Sequence, residues 1–117
     1  MIEASVIFPG DHGPEEFREF IVRQGGQWVE NPPNLGPGYG VMQKGDAAVY
    51  VTLIPGFVIE MCEEEQLATF RRTVGMDPRS RVAIEIAHSP GSREVAEEFV
   101  SRITSEWNGL ADWSLAR

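Results

Sequence analysis

One cysteine, two histidines and ten basic residues against eighteen acidic ones are what this chain of 117 residues has least of. Each scarcity closes off a class of chemistry. A lone Cys62 cannot form an internal disulfide, and it removes every zinc site built on paired cysteines. Any Cys-His dyad must join Cys62 to His12 or His88. Three glutamates follow Cys62 and favour the thiol over the thiolate, which opposes an activated nucleophile. No G-x-S-x-G elbow occurs. No metal or cofactor is expected, and no catalytic set emerges.

Long apolar runs are also missing. The longest, "AAVYVTLIPGFVI", is interrupted by Pro55 and Gly56 and falls short of the roughly 18 to 20 residues a bilayer span needs. The opening "MIEASVIFPG" has neither a basic leader nor a small-residue cleavage site and reads as a strand, so the expectation is a cytoplasmic protein. The shortage of Lys and Arg leaves a net charge of −8 and a pI near 4.7. Such a field repels nucleic-acid phosphates and anionic lipid, which excludes DNA, RNA and membranes as expected partners. It favours encounter with a basic protein.

What is present is a balanced globular composition, 42% hydrophobic and 24% charged, enough for one core in a single α+β domain over residues 1–117. Strand and helix signals alternate along it. Ile2, Ala4, Val6 and Phe8 recur at period two, a half-buried opening strand. In "PEEFREFIVRQGG", Pro14 suits the first helical position and Glu15 and Glu16 the positive end of the dipole. Phe17, Phe20 and Ile21 share one side of that helix. Residues 39–43 and 47–54 flank "KGD" and read as a hairpin. "CEEEQLATFRRTVG" predicts a helix with acids first, arginines late and Gly75 beyond.

"SRVAIEIAH" is the clearest strand, and "SPGSREVAEEFVSRITSEWNG" the clearest helix. Ser89 and Pro90 are read as its cap and first position, Gly109 as its end, and Glu98 with Arg102 as an i, i+4 pair. "LADWSL" predicts a last strand. The order strand, helix, hairpin, helix, strand follows a ferredoxin-like split β-α-β sandwich, an antiparallel or mixed sheet with its helices on one face. An extra C-terminal helix and strand are appended.

Glycine and proline concentrate in "NPPNLGPGYG", residues 31 to 40. A phosphate cradle would place such glycines between a strand and a helix and follow them with Lys-Ser or Lys-Thr. Here they precede a strand, and the prolines lack N–H donors. The stretch is a stiffened surface loop able to show Leu35 and Tyr39 to a partner, with Trp28 just before it as a further anchor. The densest acidic run is "EMCEEE". Glu60, Glu63, Glu64 and Glu65 suit the docking of Arg or Lys side chains better than a metal, because consecutive helical carboxylates point apart. A ligand-binding alternative places a site between the sheet and loop 31–40, using Tyr39, Glu85 and His88.

Residues 81 to 114, "RVAIEIAHSPGSREVAEEFVSRITSEWNGLADWS", resemble the strand-helix-strand endings of small acidic bacterial immunity-type proteins. The resemblance is one of overall pattern and carries no residue-by-residue motif. It implies a non-catalytic protein that neutralises a toxin by covering its active surface, and acidity would suit a basic toxin. The leading expectation is thus an acidic protein-binding module; the alternative is a small-molecule-binding or enzymatic α+β domain. Edge strands could also pair two copies, so a homodimer stays open.

Overall fold

The computed structural model describes residues 4–32, 36, 38–54 and 62–113. In chain order these form β1 (Ala4–Phe8), α1 (Pro14–Arg23), β2 (Gln27–Val29), β3 (Tyr39–Lys44), β4 (Ala47–Ile54), α2 (Glu64–Val74), β5 (Ser80–Ile86), α3 (Ser92–Trp107) and β6 (Leu110–Asp112). The strands make one six-stranded sheet of order β2-β3-β4-β5-β1-β6, antiparallel at every pairing. The architecture is α+β with three helices among the described residues.

Strand directions dictate where two of the helices lie. β1 and β2 run the same way with three strands between them, and β5 and β6 run the same way with β1 between them. A connection between strands of one direction must cross a face of the sheet, so α1 and α3 are crossovers. α2 joins β4 to β5, which are antiparallel neighbours, and is under no such requirement.

The sheet order does not confirm the expected ferredoxin-like split β-α-β arrangement. That arrangement would insert β1 between β4 and β5, whereas here β5 lies between β4 and β1. The short edge strand β2, pairing Trp28 with Gly40, was also not anticipated. Three residues between glycines and prolines leave too little period-two pattern to read.

Nor do the helices share one face. Ala4, Val6, Phe8, Val49, Val51, Leu53, Val82 and Ile84 point to the first face and form the main core with Phe17, Phe20 and Ile21 of α1 and Ala96, Phe99, Val100, Ile103 and Trp107 of α3. The alternate residues Ser5, Ile7 and Ala83 point to the second face and are also buried. On that face Asp112, opposite Ser5 in the ladder, accepts a 3.2 Å hydrogen bond from Gln66 Nε2 of α2. Phe70 of α2 is fully buried yet lies outside the main core cluster. α2 therefore covers the β1 and β6 part of the second face, which explains why β1 is buried along its whole length.

Close approach fixes α1 against the sheet. A Cβ on Gly40 would stand 2.8 Å from Ile21 Cγ1 and 3.0 Å from Val51 Cγ2, so only glycine admits this depth of packing. The end of α3 differs from expectation in the same way. Asn108, with φ of 57°, takes the left-handed cap, as asparagine tolerates. Gly109 is instead needed because a Cβ there would meet the Phe8 ring at 2.5 Å. At its start the helix is capped by Gly91 rather than Ser89, and the buried Ser92 hydroxyl accepts a 3.1 Å bond from the Ala48 N–H.

Because Phe70 is the one fully buried side chain that α2 contributes, Phe70→Ala is expected to cost about 3–5 kcal/mol of unfolding free energy. Urea denaturation would read this as a lowered midpoint at unchanged slope. A loss below about 1 kcal/mol would show that α2 is not docked through this ring.

Candidate functional site

Two surfaces carry the residues that the sequence singled out. The first is the start of α2. Glu63 precedes the helix with extended backbone, Glu64 and Glu65 begin it, and all three are exposed at its positive end. An open groove of about 510 Å³ runs between this turn and the edge strand, lined by Glu63, Glu65, Gln66, Thr69 and Arg72 on one wall and Leu110 to Asp112 on the other. Glu60 and Leu35 lie outside the described residues.

Charge is distributed unevenly over the molecule. On the face built from α1 and α3, Arg18 pairs with Glu30, Arg23 with Glu106, Arg93 with Glu97 and Arg102 with Glu98, the last as its spacing predicts. Glu63, Glu64 and Glu65 make no ion pair among the described residues. Arg71 near the end of α2 is held by Asp77, away from these acids. Exposed pairs contribute little to stability, about 0–1 kcal/mol each, but they cancel the local field. Four arginine–glutamate pairs thus lie on the α1 and α3 face, whereas the groove beside Glu63 and Glu65 has Arg72 on its wall and, among the described residues, no ion pair to these acids.

The second surface is the part of the second sheet face that α2 leaves open. Tyr50 is 40% exposed there, and Val29 is 37% exposed. The register puts Tyr50 opposite both Val41 and Glu85, and Tyr39 opposite Val29. The Tyr39 and Tyr50 rings meet edge to face with centroids 6.4 Å apart. With Thr52 and Glu85 they line an open cleft of about 280 Å³.

The structure thus brings Tyr39 and Glu85 together and leaves His88 apart, exposed beyond the opposite end of β5 from Arg81. Trp28 alternates to the first face, half-buried against the core and edge-on to Phe17 at 5.9 Å. Tyr50 and Thr52 were not singled out from the sequence. Their alternation with Val49, Val51 and Leu53 marked them as the other side of a strand, but nothing local said that this side stays uncovered.

No hydrogen bond or ion pair joins Cys62 to either histidine among the described residues. His12 belongs to the first face, its ring stacked 3.8 Å from Trp107 and its Nδ1 2.9 Å from Glu16 Oε1. The charge that acts on Cys62 is that of Arg81, which lies on the second face opposite Ile7. His88 follows Arg81 by seven residues along an extended strand, roughly 20 Å away. Burial pushes the Cys62 thiol above its ordinary pKa, and the nearby Arg81 guanidinium offsets this only in part. No group of three or more His, Cys, Asp or Glu residues able to hold a metal ion occurs among the described residues. Among them, too, no helix is long and apolar enough to cross a membrane.

No family model matches the chain, and neither curated proteins nor solved structures give a match.

The raised thiol pKa predicts that native Cys62 is alkylated by iodoacetamide with a rate-pH profile displaced to higher pH than in the urea-unfolded chain. Faster reaction of the native protein at pH 7 would contradict it.

Proposed function

We propose that this chain is a non-catalytic protein-binding module that offers an acidic surface to a basic partner. The observation that carries the reading is a run of three exposed carboxylates: Glu63, Glu64 and Glu65 at the start of α2 make no ion pair among the described residues, while Glu97, Glu98 and Glu106 of α3 are each paired with an arginine. Unneutralised like charges at one corner raise the on-rate of an oppositely charged protein and fix its orientation. The adjoining groove beside Leu110 to Asp112 supplies surface next to the charge.

An immunity-type role, in which such a module covers the active surface of a basic toxin, is the specific form of this reading. It rests on the strand-helix-strand pattern of residues 81 to 114 together with the net charge of −8. The rival ligand-binding reading is weakened by geometry. Its candidates Tyr39 and Glu85 line an open cleft rather than an enclosed cavity, and His88 does not line it.

Affinity capture with the tagged protein from its own host's lysate, washed at low and high salt, tests the proposal. One basic protein is expected in stoichiometric amount, released as salt screens the contact. Replacing Glu63, Glu64 and Glu65 together by Lys is expected to weaken that association at least about tenfold through lost attraction and new repulsion. Absence of any partner at low salt, or capture unaffected by the triple reversal, would overturn the reading.

A further inference from the structure

β6 ends the sheet on its side, and the ladder registers fix which way its backbone points. The Ala87 N–H donates to the Ala48 carbonyl at 3.1 Å, and bonded pairs alternate with non-bonded ones along an antiparallel ladder. Tyr50 with Glu85 and Thr52 with Ala83 are therefore bonded pairs, so Val82 and Ile84 turn their backbone groups the other way, to Val6 and Ala4 of β1. Ser5 and Ile7 then turn theirs to Asp112 and Leu110. That leaves the N–H and C=O of Ala111 pointing away from β1, where no further strand follows among the described residues.

The groove of about 510 Å³ lies against this edge. Glu65, Ala68, Thr69 and Arg72 recur at three- and four-residue spacing, one stripe of α2, and all four line the groove opposite Leu110 to Asp112. An unpaired backbone edge beside a helix stripe is a slot for one more strand. We propose that β6 accepts an extended segment of the protein partner as a seventh strand, which carries an Arg or Lys side chain to Glu63 and Glu65. The partner residue opposite Ala111 exchanges backbone bonds with it and faces the first side of the sheet, while the residues on either side of it face the α2 stripe. Gln66 is bonded to Asp112, which sets the Glu63 and Glu65 turn at that end of the groove. Arg72, turned to the Thr69 hydroxyl at 3.4 Å, is six residues on, about 9 Å along the helix axis. Three carboxylates against one guanidinium leave the groove acidic, so charge complementarity selects a basic segment.

This assignment rests on the protein-binding reading and adds to it a backbone contact that attraction between charges does not need, so the test separates the two. The capped peptide acetyl-VRVTV-amide is titrated into the ¹⁵N-labelled full chain, with amide shifts followed by NMR. Beside it are run the same peptide N-methylated at its central valine and acetyl-VEVTV-amide. Saturable shifts are expected at Leu110, Ala111 and Asp112 and along Glu65 to Arg72 with the first peptide. N-methylation removes the N–H that the Ala111 carbonyl accepts and is expected to weaken binding at least about tenfold. Reversing the peptide's charge is expected to weaken it as much. Ala111→Pro removes an N–H that the sheet does not use and is expected to weaken the parent peptide about tenfold, with unchanged core shifts reporting that the variant folds. The N-methylated peptide asks the same question of the native chain.

The assignment is overturned if the parent peptide produces no saturable shift at the β6 amides, or if either the N-methylated or the acidic peptide binds as tightly. Shifts of the same amides on raising the concentration of the protein alone would name a second copy of the chain as the occupant and overturn the assignment to a different partner. A failed titration beside a salt-sensitive capture that the Glu63, Glu64 and Glu65 reversal abolishes would remove the seventh strand and leave the acidic-surface reading standing.

Discussion

The rest of the molecule depends on the aromatic cluster around Trp107. Its ring meets Phe8 of β1 at 5.2 Å, Phe20 and Phe17 of α1 at 5.6 and 6.1 Å, and stacks on His12 in the β1-to-α1 connection at 3.8 Å. Two crossover helices and the strand they straddle are thereby joined at one point. Aromatic pairs of this kind are worth about 0.5–1.5 kcal/mol each beyond the area they bury. Because α1 reaches the far edge of the sheet and α3 returns across β1, this contact sets how both ends of the sheet lie relative to the core. The absence of a side chain at Gly109 follows from the same constraint, since the chain leaving α3 must pass against the Phe8 ring.

With the first face closed by α1 and α3, the second face is covered unevenly. α2 is joined to antiparallel neighbours and need not span the sheet, so it settles over β1 and β6, where Ile7, Ser5 and Asp112 face it. Two consequences for function follow. The N-terminal turn of α2 stands at the sheet edge with its carboxylates in solvent, and the portion of the second face bearing Tyr39, Tyr50, Thr52 and Glu85 is left open. Both candidate surfaces are products of one fact, that a single short helix covers a wide sheet on this side.

The two surfaces use different physics. The exposed carboxylates at the start of α2 produce a field that is long-ranged and screened by salt. The tyrosine cleft offers two rings edge to face with centroids 6.4 Å apart, whose interactions are of contact range.

Much of this was legible in the residue order. The stripe of α3, the Phe17, Phe20 and Ile21 side of α1, the alternation of β4 and β5 and the hairpin at Gly45 follow from periodicity and turn chemistry, which act within a few residues. So did the uneven charge of "CEEE", because helix-start acids are written locally. The sheet order was not legible. Whether β5 inserts between β4 and β1 or outside β1 is settled by which apolar faces pack best over distances the chain pattern does not encode, and a short strand such as Gln27–Val29 exists only because β3 is there to pair with it. The same reason separates Trp28, taken into the core by its strand partner Gly40, from Tyr50, which is 40% exposed on a part of the second face that α2 does not reach. Local sequence determined the three helices, the longer strands and the net charge; tertiary packing alone decided the strand order and which faces are covered, since both depend on neighbours that are distant in the chain.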